Sequence, residues 1–203
     1  MTWVKICGLT READVATAVD AGADALGFVL AGRSARCIPV QRAAALMTGV
    51  PALRILVTED EEPEELLEAA SLTGADGVQP HGQHRVAAAA AAAEAGFLVL
   101  RPVAVGSTGP EDDLAALPTT EIPLLDRARP GGSGGSGEVF DWDLIAATER
   151  RFVLAGGLGP GNVASAVTRV RPWGVDASSR LESAPGVKDP GKVAAFVARA
   201  KGG

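Results

Sequence analysis

The stretch WVKICGLTREADVATAVDAGADALGFVL, residues 3–30, contains the unit that decides the fold. It begins with an apolar run, Trp3–Cys7, continues with a helix-like stretch, Arg11–Ala21, and ends with a second apolar run, Ala25–Leu30. Both runs are short and continuous and lack the polar–apolar alternation of a half-exposed strand, which is typical of strands buried on both faces. The stretch therefore predicts a strand–helix–strand unit with parallel strands.

The same order of strand and helix continues along the chain. Further apolar runs lie at Leu53–Val57, Gly77–Gln79, Phe97–Leu100, Ile122–Leu125, Phe152–Ala155 and Gly174–Asp176. Helix-like stretches lie at Val40–Met47, Pro63–Leu72, His84–Ala95, Asp112–Leu117, Trp142–Ala147, Asn162–Val170 and Pro190–Ala200. An open doubly wound sheet needs fewer units for this length, so eight units predict an α/β fold of the (β/α)8 TIM-barrel type, whose usual range begins near ~200 residues. We expect residues 1–203 to form a single barrel domain.

Composition and charge fit one compact soluble domain. The 203 residues are 47% hydrophobic and 22% charged, with a formal net charge of −6. No apolar run approaches the ~18 residues that span a bilayer, and the start, Met1-Thr2-Trp3-Val4-Lys5, lacks the parts of a signal peptide. We therefore expect a cytoplasmic protein with no membrane partner.

The inventory of metal ligands and cations excludes further classes of function. Two cysteines, Cys7 and Cys37, and two histidines, His81 and His84, are too few for a disulfide framework or a cysteine-based zinc site. The acidic balance, the absence of a Lys/Arg cluster and the 4% aromatic content argue against a nucleic-acid surface. A small-molecule ligand is the leading expectation, with no metal, no cofactor and no nucleic acid, and the oligomeric state stays open.

Polar residues cluster where the predicted strands end. These positions are Cys7, Arg33 to Arg36, Thr58, His81, Arg101, Asp126, Gly156-Gly157 and Asp176 to Ser179. In barrel enzymes the carboxyl ends of the strands hold the active site, whereas the opposite rim serves stability. We therefore expect these residues to share one mouth of the barrel.

Two of these strand ends resemble a phosphate site. Gly156 and Gly157 end the seventh strand just before a helix, and Ser178 and Ser179 follow the eighth. Glycines let backbone N–H groups approach a ligand closely, a helix N-terminus favours an anion, and barrels often build a phosphate site from these two loops. The alternative is that the glycines serve only tight turns.

A third glycine-rich segment, Gly131–Gly137, follows Asp126. It is too long for a simple turn and is predicted to be a ligand-covering lid, with a plain flexible connection as the alternative.

Several short fragments along the chain together carry a family resemblance. They are Lys5-Ile6-Cys7-Gly8-Leu9-Thr10, Gly22-Ala23-Asp24 with Gly27-Phe28, Val78-Gln79-Pro80-His81-Gly82, Leu124-Leu125-Asp126, Gly134-Gly135-Ser136-Gly137 with Phe140-Asp141-Trp142, Ala155-Gly156-Gly157-Leu158, Gly174-Val175-Asp176 with Ser178-Ser179, and Pro185-Gly186-Val187-Lys188-Asp189-Pro190. They cover nearly the whole chain in order, and although each fragment is weak alone, together they are specific. On these fragments the chain resembles the phosphoribosylanthranilate isomerase family of tryptophan biosynthesis.

The resemblance implies a cofactor-free Amadori rearrangement of N-(5-phosphoribosyl)anthranilate to 1-(2-carboxyphenylamino)-1-deoxyribulose 5-phosphate. By family position, Asp126 is the general acid and Cys7 the general base. Arg36 lies near the anthranilate carboxylate, His81 donates or orients at the mouth, and Asp176 contacts ribose hydroxyls or supports the acid. The phosphate is held by donors of Gly156, Gly157, Ser178 and Ser179.

Both catalytic roles require shifted pKa values. Asp126 needs burial or a neighbouring carboxylate to hold a proton, and Cys7 needs positive charge or N–H donors to become a thiolate. Lys5 lies two residues before Cys7 and faces the same side of the strand. It either polarises the site or pairs with a barrel carboxylate.

Three positions depart from the family pattern. Ala35 replaces a usual proline, Pro80 a usual leucine, and Arg180-Leu181 a usual Gly-Val. None removes an acid, a base or a phosphate donor, and Arg180 adds a cation close to the phosphate loops.

Two other functions stay open from the residues themselves. One is a different phosphosugar enzyme, such as an aldolase, for which Lys5 is the candidate Schiff-base lysine. The other is a binding protein without turnover, against which the presence of both Cys7 and Asp126 argues, because binding alone requires neither.

Overall fold

The computed structural model describes residues 1–110, 112–127, 141–145 and 148–202. Eight parallel strands close into a barrel in which each strand pairs with the next and the eighth pairs with the first. In chain order, β1 to β8 are Trp3–Cys7, Ala25–Val29, Leu53–Glu59, Gly77–His81, Leu98–Gly106, Glu121–Arg127, Val153–Leu154 and Gly174–Ala177. The predicted (β/α)8 barrel is confirmed.

Six α-helices surround the strands in the part of the chain that the structure describes. They are α1 to α6, at Glu12–Asp20, Val40–Met47, Pro63–Thr73, Arg85–Glu94, Val163–Val170 and Pro190–Gly202. No helix in the described part of the chain is long and apolar enough to cross a membrane.

The predicted helix at Asp112–Leu117 is wrong, since this segment forms turns. Asp113 Oδ1 accepts a hydrogen bond from the backbone N–H of Ala115 at 2.9 Å, and such local bonds compete with helix formation. The Arg150 guanidinium donates to the carbonyl oxygens of Leu114 and Leu117 at 3.1 and 2.5 Å. These two carbonyls are therefore satisfied by a side chain rather than by a helix.

The helix predicted at Trp142–Ala147 is also shorter than expected. Its described part is one turn of 3-10 helix, Trp142–Leu144, and Ala146 and Ala147 lie outside the described residues. Asp141 Oδ1 accepts from the N–H of Asp143 at 3.1 Å and caps this turn.

The strands separate two apolar layers, because successive side chains of a strand point to opposite faces. The barrel interior is filled by Ala25, Ile55, Leu100, Ile122, Leu124, Val153 and Ala155. A larger cluster joins the outer faces of the strands to the helices and includes Phe28, Leu56, Val99, Val103 and Phe196.

The prediction that Arg101 ends a strand at the mouth of the barrel is wrong. β5 runs to Gly106, so Arg101 lies within the strand and not at its carboxyl end. Val99 and Val103, two residues to either side, belong to the outer cluster, which places Arg101 on the outer face of the barrel. There its Nη1 donates to Glu121 Oε2 at 3.3 Å, and both side chains are buried.

The segment after β8 folds back beside the mouth. A 3-10 turn, Ser179–Leu181, leads into a short antiparallel hairpin of Glu182–Ala184 and Val187–Lys188, in which Glu182 pairs with Lys188. This hairpin brings two charged residues next to the β2 and β8 loops.

Candidate active site

A cavity of about 420 Å³ opens at the carboxyl ends of the strands. Every residue that the sequence assigns to the site lines it, namely Cys7, Arg36, His81, Asp126, Gly156, Gly157, Asp176, Ser178 and Ser179. The expectation of one shared mouth is thus met for these nine residues, which come from six of the eight strands or the loops that follow them.

Cys7 ends β1 and lies in a small apolar cluster with Val29, Ala31 and Val57. Gly27 leaves room for it, since a Cβ at Gly27 would lie 2.8 Å from Cys7 Sγ. Burial raises the pKa of the Cys7 thiol above its ordinary value, although the positive charges of Lys5 and Lys188 oppose the rise. The expected cations are present, yet Cys7 rests as a thiol at neutral pH because burial has the larger effect.

Lys5 lies below Cys7 and is fully buried. Its Nζ lies 3.1 Å from Asp176 Oδ2 and donates to Gln79 Oε1 at 2.8 Å. Burial alone would lower the pKa of Lys5, but attraction to Asp176 and Cys7 raises it above its ordinary value. Lys5 is therefore a charged lysine paired with a barrel carboxylate, and a charged amine is a poor Schiff-base nucleophile.

Asp176 sits on β8, directly opposite Lys5 in the register. Its Oδ2 faces Lys5, whereas its Oδ1 is buried and has no hydrogen-bond partner among the described residues. A buried carboxylate oxygen without a partner is costly unless a ligand or water satisfies it. Because Asp176 lines the cavity, this oxygen suits a hydroxyl group of a bound ligand.

His81 ends β4, and its Nε2 lies 2.9 Å from Gln79 Nε2. Burial, together with the positive charges of Lys5 and Arg85, lowers the pKa of His81 to about 4. The imidazole is therefore neutral at physiological pH. Sequence reasoning missed Gln79, although its place two residues before His81 on one strand face was a usable signal.

Asp126 lies near the end of β6 and accepts a hydrogen bond at Oδ1 from the backbone N–H of Arg127 at 2.7 Å. Gly156 approaches this carboxylate closely, with a φ of 82°. A Cβ at Gly156 would lie 2.5 Å from Asp126 Oδ1. Glycine at position 156 thus permits both the turn and the close approach to Asp126. Any side chain at this position would disturb both.

Local hydrogen bonds shape the loop after β7, which is one of the two loops predicted to bind phosphate. Gly157 also has a positive φ, of 66°. Asn162, which precedes α5, accepts from the N–H of Gly159 at 2.8 Å and donates to the carbonyl of Gly157 at 3.0 Å. The Arg180 side chain packs over Gly159, where a Cβ would lie 3.0 Å from Arg180 Cβ. A cation therefore does lie beside these loops.

Arg36 is tied to a carboxylate that the sequence reasoning missed. Its Nε and Nη2 donate to the two oxygens of Glu182, each at 2.7 Å. Burial opposes the charge of Glu182, but hydrogen bonds from Arg36 and Lys188 outweigh it and lower the pKa of Glu182. Arg36 is consequently held in one orientation at the rim of the cavity.

Lys188 joins this pair to the loop after β8. Its fully buried ammonium donates to Glu182 Oε1 at 2.8 Å and to the carbonyl of Ser178 at 3.2 Å. Gly8 lies between Arg36 and Ser178 and has no room for a side chain. A Cβ added at Gly8 would lie 2.4 Å from Arg36 Cδ and 2.9 Å from Ser178 Oγ. The fragment that ends at Pro190 contained Lys188. Its spacing gave no hint of this contact.

Two expectations stand apart from this geometry. The predicted lid, Gly131–Gly137, lies outside the described residues. Within the described ranges there is no group of three or more His, Cys, Asp or Glu side chains that could hold a metal ion.

A model of the N-(5'-phosphoribosyl)anthranilate isomerase family matches residues 4–199. The chain is 40% identical over 205 residues to N-(5'-phosphoribosyl)anthranilate isomerase of Rubrobacter xylanophilus, covering 99% of this chain and 100% of that one. It is 41% identical over 207 residues to the same enzyme of Thermotoga maritima, covering both chains completely.

Solved structures agree with the sequence matches. The crystal structure of phosphoribosylanthranilate isomerase from Thermotoga maritima superposes with a TM-score of 0.88 at 40% identity over the whole of both chains. A phosphoribosylanthranilate isomerase in complex with reduced 1-(o-carboxyphenylamino)-1-deoxyribulose 5-phosphate superposes with a TM-score of 0.84 at 37% identity, again over both complete chains.

Proposed function

The chain belongs to the N-(5'-phosphoribosyl)anthranilate isomerase family and catalyses the Amadori rearrangement of tryptophan biosynthesis, and from this premise we propose that Cys7 is its general base and Asp126 its general acid. The observation that carries the proposal is that both residues line the same cavity as the glycine and serine loops of β7 and β8. We propose that no cofactor takes part, because proton transfers complete the reaction.

The reaction needs one acid and one base at different atoms of the sugar. The acid protonates the ribose ring oxygen, and the ring opens to an iminium ion. The base then removes the proton from C2, and the enolamine becomes the ketone. Cys7 on β1 and Asp126 on β6 belong to strands that are not neighbours, so they reach the substrate from different sides.

The resting thiol of Cys7 is compatible with this role. Lys5 and Lys188 already favour the thiolate, whereas burial and the negative charge of Asp176 oppose it. The iminium ion adds a positive charge near C2, and an opposite charge within a few ångströms lowers a thiol pKa. The thiolate is therefore favoured at the step in which the base is needed.

The remaining lining residues suit the two ends of the substrate. Arg36, held by Glu182, offers a guanidinium to the anthranilate carboxylate, and Val29, Ala31 and Val57 offer an apolar wall to its ring. At the other end, backbone donors of Gly156, Gly157, Ser178 and Ser179 hold the phosphate. The related enzyme that was solved with a reduced phosphosugar product supports an occupant of this kind.

The ribose lies between these ends in this proposal. Asp176 Oδ1, buried and without a partner in the described part of the chain, accepts a hydrogen bond from a ribose hydroxyl. His81 contacts the substrate from the β4 side of the cavity.

We also propose a cytoplasmic enzyme that acts on a free metabolite, not on nucleic acid. The net charge of −6 and the absence of a Lys/Arg cluster in the sequence support this, as do two cysteines that are both free. Cell fractionation with an antibody against the protein tests the location, and recovery in a secreted or membrane fraction would contradict it.

The catalytic assignment is tested by Cys7→Ala and Asp126→Asn. Each should reduce kcat by at least ~10²-fold, the lower range for a positioned acid or base, while the circular dichroism spectrum stays unchanged. Steady-state rates with the purified substrate measure the effect.

The matched control is Cys37→Ala, which removes the exposed cysteine and should leave kcat unchanged. If either active-site variant turns over at nearly the wild-type rate, that residue has no part in proton transfer.

A further inference from the structure

Four polar side chains form one continuous chain of contacts, and three of them, Gln79, His81 and Asp176, line the cavity. Asp176 Oδ2 lies 3.1 Å from Lys5 Nζ, Lys5 Nζ lies 2.8 Å from Gln79 Oε1, and Gln79 Nε2 lies 2.9 Å from His81 Nε2. Lys5 is fully buried and Gln79 is 4% exposed, so water has little access to the contact between these two side chains. The chain crosses the barrel from β8 through β1 to β4.

The direction of each hydrogen bond follows from the ammonium group. A lysine ammonium only donates, so the atom of Gln79 that faces Lys5 is the carbonyl oxygen. The amide N–H2 of Gln79 therefore faces His81, and it also only donates. His81 Nε2 must accept, which leaves the proton of the neutral ring on Nδ1.

We propose that Gln79, oriented by Lys5, is a positioning residue that fixes His81 as the neutral Nδ1–H tautomer, so that His81 offers a hydrogen-bond donor and not a base to the substrate. The inference rests on the proposed function, because it assumes that the substrate occupies the cavity lined by His81. It adds a role for Gln79 and a definite proton position for His81.

The charges around the ring agree with this tautomer. Protonation of His81 at Nε2 would bring an N–H against the N–H of Gln79 and add a positive charge near Lys5 and Arg85. Asp176 and Cys7 raise the pKa of Lys5 and so keep its amine charged. A flipped Gln79 amide would direct its N–H2 group at this ammonium, so the flipped orientation is disfavoured. One ammonium thus orders three groups of the site.

A neutral donor at this place serves the reaction in a specific way. His81 cannot take the C2 proton through Nε2, because that lone pair is occupied by Gln79. Nδ1 carries a proton and is not a base. Removal of the C2 proton is therefore left to Cys7, while His81 Nδ1–H is available to an oxygen of the sugar phosphate.

The first test measures the tautomer in the free enzyme, without substrate. Two-bond 1H–15N correlation spectra of 15N-labelled protein at pH 7 should show a protonated Nδ1 and an unprotonated Nε2 for His81. The His81→Gln variant assigns its signals, since His84 is the only other histidine. A protonated Nε2, alone or with Nδ1, in the wild-type enzyme overturns the proposal.

The second test changes the partner and keeps its shape. In Gln79→Glu, the carboxylate accepts from Lys5 and also from His81, so the proton of the neutral His81 ring should move from Nδ1 to Nε2, and the donor at Nδ1 is lost. We expect kcat/KM to fall about tenfold, which corresponds to the loss of one hydrogen bond. Gln83→Glu makes the same chemical change at an exposed residue and should leave both readouts unchanged.

The two tests separate this inference from the catalytic assignment. Suppose that wild-type His81 is the Nδ1–H tautomer, but that Gln79→Glu changes neither the proton position on His81 nor kcat/KM, or only one of the two. Gln79 then does not position His81. The failure of the Cys7 and Asp126 assignment would appear in kcat of their own variants and leave the spectra of the free enzyme untouched.

Discussion

Two buried ion pairs lie on opposite faces of the same barrel wall. Lys5 and Asp176 face the interior at the mouth, with 3.1 Å between Nζ and Oδ2. Arg101 and Glu121 lie on the outer face of β5 and β6, with 3.3 Å between Nη1 and Oε2. The four side chains are at most 9% exposed, so burial does not distinguish the pairs.

The surroundings of the two pairs differ. Inside the barrel, Asp176 and Cys7 raise the pKa of Lys5 in spite of burial, and Asp176 keeps one oxygen directed at no described partner. On the outside, burial raises the pKa of Glu121, and the attraction of Arg101 and Arg150 does not cancel this rise. Lys5 is therefore held in its charged form, whereas the exterior carboxylate carries a desolvation cost.

The difference shows that strand parity, and not the chemistry of the pair, decides what a buried charge does. Alternate residues of a strand face the cavity or the helical layer. A carboxylate of the first kind can receive a ligand, and one of the second kind only fills the interface between layers.

The largest effect that sharpens this comparison is expected for Asp176→Asn. A hydrogen bond to a charged group contributes ~1.5–3 kcal/mol, so kcat/KM should fall by about 100-fold when the ribose hydroxyl loses this acceptor. Steady-state kinetics measure the loss. Glu121→Gln is the matched control on the other face, and it should change kcat/KM by less than about twofold; equal losses in both variants would remove the distinction between the faces.

A second, intermediate effect concerns the pH dependence of stability. The pKa of His81 is about 4 in the folded protein, against about 6.5 in an unfolded chain. Between pH 4 and pH 6.5 the unfolded state binds more protons than the folded state. The contribution of His81 to the free energy of unfolding is therefore complete above pH 6.5 and is lost as the pH falls towards 4. Since the ring is partly exposed, we expect the loss to be about 2 kcal/mol.

Urea unfolding of wild type and His81→Gln at pH 7 and pH 4 measures this contribution. The wild-type protein should lose about 2 kcal/mol more than the variant over this range. His84→Gln is the control, because His84 lies beside Glu62 at 3.4 Å, away from Lys5. An equal loss in wild type and His81→Gln would mean that folding does not lower the pKa of His81.

The smallest effect is expected for the stability of Glu121→Gln. Removal of one partner of a buried pair commonly costs ~3–5 kcal/mol. Because burial raises the pKa of Glu121, its ionised form is already disfavoured, and the neutral variant should differ by less than about 1 kcal/mol at pH 7. Chemical unfolding at pH 7 checks this, and a cost of ~3 kcal/mol or more would show that the exterior pair is as well supported as the interior one.

Much of the site was accessible from the sequence because barrel enzymes place it at predictable points. Each short apolar run gave a strand, and the residue at its end gave a place on the mouth, as for Cys7 and Asp126. The rule failed for Arg101, since β5 extends six residues beyond the predicted end at Leu100. Arg101 and Pro102 interrupt the apolar run, and β5 continues beyond them through Val103, Ala104 and Val105.

By itself, the sequence determined the number and order of the strands, the family and nine of the residues that line the cavity. These depend on local patterns, such as the alternation of strand and helix, and on short motifs. The tertiary structure alone decided which side chains meet, as in the contact of Arg36 with Glu182, 146 positions away, or of Lys5 with Gln79, 74 positions away. Such contacts depend on the register in which the barrel closes and on the burial that makes a hydrogen-bond partner obligatory, and neither is a property of any local stretch of the chain.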